Sequence, residues 1–104
     1  MAWFFLFIAG IFEIVWAILL KYSHGFTRPV FAVLTVIGMI VSFFFLSLAL
    51  KNLPLGTAYA IWTGIGAVGT VILGVFLFGE AATPTRLALI LLIIAGIVGL
   101  KITA

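Results

Sequence analysis

Four long apolar runs, separated by short polar segments, limit what this chain can fold into. Each run has the length of about 20 residues that an α-helix needs to cross the hydrocarbon core of a bilayer. The chain is 67% hydrophobic and 7% charged over 104 residues, which leaves too little polar surface to coat a soluble globule. The sequence therefore predicts an all-α integral membrane protein, a single domain over residues 1–104. Its four transmembrane helices are expected at about 2–20, 29–50, 56–78 and 85–102.

Several classes of function are disfavoured by what the chain contains. It has no cysteine and a single histidine, so we expect neither disulfides nor a metal site. Its net charge of +3 comes from scattered basic residues, which do not form a nucleic-acid patch. An enzyme is not expected, because the sequence shows no nucleophile–base pair and no phosphate-binding loop, and no cofactor is expected either.

The basic residues between the runs give almost no orientation signal. Short connections make neighbouring helices antiparallel, so Lys21, Arg28 and Arg86 are expected on one side of the membrane. Lys51 and Lys101 are expected on the other side. The positive-inside rule needs a clearer imbalance than this. Two interpretations stay open: insertion in both orientations with pairing to an inverted copy, or one orientation set by a weak bias.

A glutamate interrupts the first apolar run. Glu13 lies within IAGIFEIVWAILL, although an Asp, Lys or Arg at mid-membrane costs about 2.5–3.5 kcal/mol even on insertion scales. Such residues usually face a bundle interior and mark an ion or substrate path. At helical spacing Gly10 and Trp16 share its face, which leaves room beside the acid and brings an indole close to it. The alternative is a protonated glutamic acid that only bonds a neighbouring helix.

Polar and aromatic residues in the next two runs complete a candidate binding site. Ser42 lies near the membrane centre, where it can bond the carboxylate or its own backbone. Tyr59 and Trp62 align at helical spacing and bring two aromatic faces with polar tips. A carboxylate supplies charge, and desolvated aromatic faces add cation–π attraction of about 2 kcal/mol or more. This combination is typical of a site for an organic cation.

Small residues mark two further positions of interest. Gly64 and Gly66 permit either a helix bend or close packing of another helix. Four thin helices do not readily enclose a substrate path, so an oligomer is expected. The last run offers small residues for a dimer contact, although glycine is also simply common in membrane helices. These residues are Ala95, Gly96 and Gly99.

Three motifs resemble a known family. FEIVWAILLKYSHGFTR, LKNLPLGTAYAIWTGIGAVGT and AGIVGLK are similar to the small multidrug resistance family of bacterial inner-membrane transporters, over essentially the whole chain. The resemblance implies an antiparallel, dual-topology homodimer of four-helix chains in the inner membrane. The pattern Glu13-x-x-Trp16-Ala17, with Ser42 and the glycine-rich run at 64–69, looks like the guanidinium exporter subtype.

The resemblance also implies roles for individual residues. Glu13 would be the shared site of proton and substrate, with its carboxylate hydrogen-bonded and positioned by Trp16 and Ser42. One departure is Leu89, which stands seven residues before Gly96 where the family has a second glycine. The other residues would shape the site: Gly10 keeping it open, Tyr59 lining and gating it, and Trp62 lining it.

The implied function is a proton-coupled antiporter that exports guanidinium, with proton and cation competing for Glu13. In a head-to-tail dimer, two copies of Glu13 would face one cavity. Three alternatives remain at this point: an exporter of quaternary ammonium compounds, a non-transporting membrane subunit, and a passive cation channel. A carboxylate held by Trp16 and Ser42 favours guanidinium over quaternary ammonium compounds, because quaternary ammonium cations cannot donate hydrogen bonds.

Overall fold

Four α-helices joined by short connections make up the structure, a computed structural model that describes residues 1–103. All four helices are long and apolar enough to cross a membrane, which confirms the prediction of four membrane-spanning helices. The chain is therefore a multi-pass membrane protein. The helix ends lie within two residues of the expected ones. The helices are α1 (Ala2–Tyr22), α2 (Pro29–Leu50), α3 (Leu55–Phe78) and α4 (Pro84–Thr103).

Local chemistry explains where the helices begin and end. Pro29 and Pro84 are the first residues of α2 and α4, where the missing N–H of proline costs nothing. Gly79 ends α3 with a φ of +67°, a left-handed conformation that favours glycine. The connection after α1 is fixed by the buried Ser23, whose Oγ donates a hydrogen bond to the carbonyl of Leu20 at 2.6 Å.

The helices pack unequally. α1 lies against both α2 and α3, whereas α4 packs mainly against α3. The chain measures 41 × 35 × 17 Å along its principal axes. Its shortest dimension is less than twice the diameter of one helix, which is about 10–12 Å. None of the described residues of α4 is buried. A single chain therefore leaves one whole helix uncovered apart from its contact with α3.

Small residues allow α1 to approach its neighbours closely, as is usual between membrane helices. A Cβ atom added to Gly10 would lie 2.6 Å from Cγ2 and 2.8 Å from Cβ of Ile65 in α3. Gly69 of α3 receives the side chain of Ile14 in the same way. The buried hydrophobic core between these helices is correspondingly compact, and it consists of Leu6, Ala9, Ala49, Ala58, Ile61 and Trp62.

We expect Gly10→Ala to lower the free energy of unfolding by about 1–3 kcal/mol, the usual cost of overpacking. The added methyl group meets the branched base of Ile65, which cannot swing away without moving the backbone of α3. Unfolding in mixed detergent and SDS, followed by circular dichroism, measures the change. The matched control is Gly56→Ala, because a Cβ at Gly56 has no neighbour within 4 Å. Equal losses in the two variants would contradict this account of the α1–α3 contact.

Candidate functional site

Glu13 lies near the middle of α1, half-buried against α3. Its carboxyl group contacts Gly66 so closely that a Cβ atom at Gly66 would overlap it. Gly66 is itself buried. The absence of a side chain at this position therefore creates the space in which the carboxyl group lies. The sequence predicted either a helix bend or close packing at Gly66, and the structure shows that Gly66 packs against the carboxyl group of Glu13.

A hydrogen-bonded chain connects α1, α2 and α3 beside the acid. The indole Nε1–H of Trp62 donates to Oγ of Ser42 at 3.0 Å. The hydroxyl of Ser42 in turn donates to the backbone carbonyl of Ala9 at 2.7 Å. In an α-helix this carbonyl also accepts the backbone N–H of Glu13. This series of hydrogen bonds thus ends on the turn of α1 that carries Glu13.

The expected hydrogen bond from Ser42 to the Glu13 carboxylate is therefore not made in this chain. A serine hydroxyl has a single proton to donate, and the structure gives that proton to Ala9. Ser42 lies beside the site as expected, but it bonds the backbone of α1 and the indole of Trp62. Its positioning of the carboxylate remains a prediction that requires the hydroxyl to change partners.

Trp16 does not hydrogen-bond Glu13 in this chain either. Its Nε1 atom is buried and has no hydrogen-bond partner among the described residues. The base of the side chain packs on α2, since a Cβ at Gly38 would lie 3.0 Å from Cβ of Trp16. Contact with α2 thus holds the indole. Buried donors without a partner are uncommon, so this N–H is available to an acceptor.

Two further aromatic rings pack on Trp62, the indole donor of the hydrogen-bonded chain. Trp62 is buried, and Tyr59 contacts its ring edge-on with centroids 5.4 Å apart. The helical spacing predicted that these two residues share a face. Phe43 also packs edge-on against Trp62, with ring centroids 5.6 Å apart. The sequence did not point to this contact, because phenylalanine is so frequent in the second run. Tyr59 is 55% exposed, which leaves its ring accessible from outside the chain.

The glycines of the candidate site act through close packing. Gly10 does not leave open space beside Glu13 as expected, because the side chain of Ile65 fills that space. Gly64 receives Ile97 of α4. α3 continues as one α-helix through Gly64 and Gly66, and a bend there during function remains a prediction.

The small residues predicted for a dimer contact lie away from the acid. Ala95, Gly96 and Gly99 are exposed on α4, and a Cβ at Gly96 or Gly99 would meet nothing within 4 Å. This face of α4 is therefore uncovered in the single chain. Its role in a dimer stays a prediction.

The arrangement suits the binding of a cation from within the membrane. The half-buried carboxyl group of Glu13 packs on Gly66, and the turn of α1 that carries it is bonded to Ser42, which accepts from the buried indole of Trp62. The carboxylate attracts positive charge, and the π faces of tryptophan and tyrosine attract it further. Sites of this kind in multi-pass proteins are typical of membrane transporters.

The chain belongs to the small multidrug resistance family. The model of the family described as Small Multidrug Resistance protein matches residues 1–93. A guanidinium exporter of Salmonella typhimurium is 56% identical over 104 residues, which are 100% of this chain and 99% of the relative. A guanidinium exporter of Citrobacter freundii is 57% identical over 103 residues, 99% of this chain and 98% of the relative. One of Proteus vulgaris is 57% identical over the full length of both proteins. The family resemblance is thus confirmed.

We expect Ser42→Ala to lower the free energy of unfolding by about 1 kcal/mol or more, because it leaves the buried indole N–H of Trp62 without an acceptor. Unfolding in SDS measures the loss. Ser47→Ala is the control, since Ser47 is exposed and bonds only the carbonyl of Phe44 in its own helix. In a double-mutant cycle, Trp62→Phe should cost less in the Ser42→Ala background than alone. Additive costs would show that the two side chains are not coupled.

Proposed function

We propose that this chain exports guanidinium in exchange for protons, with Glu13 holding either the proton or the cation. The observation that carries the proposal is the position of Glu13. The sequence has two acidic residues, and of these only Glu13 lies within a helix, where its carboxyl group contacts Gly66. The guanidinium exporters that match along the full chain support the same substrate.

The chemistry of the site favours guanidinium over quaternary ammonium compounds. Guanidinium is planar and weakly hydrated, and its N–H groups fit a carboxylate in pairs. The site also offers the hydroxyl of Ser42 and the rings of Trp62 and Tyr59. A tetraalkylammonium ion donates no hydrogen bond and gains only charge and cation–π attraction. Small substituted guanidinium cations are expected to bind as well.

The exchange of protons for guanidinium follows because both compete for the carboxyl group of Glu13. A carboxyl oxygen that holds a proton has lost the negative charge that binds the cation, so binding of one ligand releases the other. Transport then requires that the site open to each side of the membrane in turn, as in transporters built from inverted repeats. In this mechanism the uncovered face of α4 pairs with an inverted copy of the chain. The assembly is an antiparallel homodimer in the bacterial inner membrane.

Glu13→Gln is expected to abolish guanidinium-driven proton flux, because the amide neither releases a proton nor carries the charge. Glu13→Asp should retain partial transport with a shifted pH profile. Proteoliposomes containing the purified chain and a pH-sensitive dye inside measure the flux after addition of guanidinium. The control is Glu80→Gln, which removes the other acid and its 3.8 Å ion pair with Arg86 and should leave coupling intact.

Each alternative gives a different result in the same assay. Flux driven only by a tetraalkylammonium ion would assign the chain to the multidrug type. Electrical current without proton movement would indicate a channel. No flux with either cation, from a dimer that assembles normally, would reduce Glu13 to a residue that holds helices together.

Dual orientation has a separate test. Single cysteines introduced at Lys51, in the connection after α2, and at Arg86, in the first turn of α4, lie at opposite ends of the helix bundle. If the chain inserts both ways, a membrane-impermeant maleimide should label about half of the molecules at each position in sealed vesicles. Labelling confined to one of the two positions would show a fixed orientation and would overturn the antiparallel dimer.

A further inference from the structure

An apolar cavity of about 160 Å³ opens between α1, α3 and α4, on a part of the molecule that the exchange mechanism does not use. Apolar cavities of about 150 Å³ stay dry and bind small apolar molecules. Six apolar side chains line it: Trp3, Leu6, Phe7, Ile61, Ile65 and Ile97.

One cation stands at the rim of the cavity. Lys101 follows Ile97 by one helical turn, so it lies about 6 Å further along α4, towards the end of the helix. Its Nζ atom lies 5.1 Å from the ring centroid of Trp3, which is at the beginning of α1. Trp and Lys residues at helix ends are typical of the membrane surface. The cavity therefore runs from the membrane surface into the hydrocarbon region.

No acidic side chain is available to balance the charge of Lys101. The sequence has two acids, of which Glu13 lies in the middle of α1. Glu80 lies in the connection before α4, at the opposite end of that helix, and pairs with Arg86 at 3.8 Å. The ring of Trp3 occupies one side of the ammonium group, which has three N–H donors. Its remaining donors can bind an anion, and at a membrane surface the abundant anions are lipid phosphates.

We propose that this cavity binds one anionic phospholipid, with the phosphate on Lys101 and part of an acyl chain beside Leu6, Ile65 and Ile97. The positive charge of Lys101 determines which kind of molecule binds in the cavity. Lys101 repels the cationic substrates that Glu13 attracts, so the cavity is not an extension of the exchange site. A zwitterionic lipid carries a positive group of its own and gains less from the lysine.

The lipid and the proposed partner copy occupy different faces of α4. At 100° per residue, Ile97 and Lys101 lie on the face towards α3 and α1. Ala95 and Gly99 lie on roughly the opposite face, where the dimer contact is proposed. The cavity is therefore compatible with a dimer through α4.

Native mass spectrometry of the purified full-length chain tests the proposal. The protein is mixed with equal amounts of phosphatidylglycerol and phosphatidylcholine that carry the same acyl chains, and the bound lipids are counted. We expect Lys101→Gln to lower the preference for phosphatidylglycerol about fivefold, the effect of one lysine near an anionic surface. Lys51→Gln is the control, because it removes the same charge at the same end of the bundle without touching the cavity.

A second pair of variants tests the cavity itself. Phe7→Trp fills part of it and should reduce the retention of both lipids, while the preference between headgroups persists. Phe4→Trp is the matched control, since Phe4 and Phe7 are 54% and 57% exposed but only Phe7 lines the cavity. Equal effects of Lys101→Gln and Lys51→Gln would overturn the proposal, because the preference would then reflect diffuse charge. Equal retention by Phe7→Trp and Phe4→Trp, or no retained phosphatidylglycerol in the unaltered chain, would overturn it as well.

Discussion

The contact between Glu13 and Gly66 is the constraint on which the rest of the structure depends. A carboxyl group in the middle of a membrane-spanning helix must be kept away from lipid, and here α3 covers it. This is possible only if α1 and α3 lie very close together. Glycines on both helices, Gly10 and Gly69 among them, make that distance possible. On the same side of α3, Trp62 bonds Ser42 of α2, which in turn bonds Ala9 of α1, so all three helices hold the aromatic part of the candidate site.

The four-helix architecture was predictable because the thickness of the bilayer determines how long a membrane-spanning helix must be. A run of about 20 apolar residues ended by a proline, glycine or charge has few alternatives to a spanning helix. Glu13 was equally conspicuous, since an acid at that depth is costly. Tyr59 and Trp62 were correctly placed on one face because they are three residues apart in one helix. These inferences need only the chain's own periodicity.

The partners of the site residues were not predictable in the same way. Spacing along a helix gives the face on which Ser42 or Trp16 lies, but not the group that another helix presents to it. Ser42 bonds a backbone carbonyl, and every residue has one, so no sequence pattern distinguishes Ala9. For Gly10, the open space expected beside the acid is filled by Ile65, a residue on a different helix. Contacts between helices depend on their rotation and spacing, which the packing of the whole bundle determines.

The hydrogen-bonded chain through Ser42 gives the two aromatic residues of the candidate site unequal freedom. Trp62 is buried, and its bond to Ser42 fixes it relative to the turn of α1 that carries Glu13. Tyr59 is more than half exposed and meets Trp62 through a ring edge. The site thus has one rigid wall and one adjustable wall. In the proposed exporter, the fixed ring of Trp62 sets the direction in which a bound cation faces the acid, and the more exposed ring of Tyr59 accommodates cations of different size.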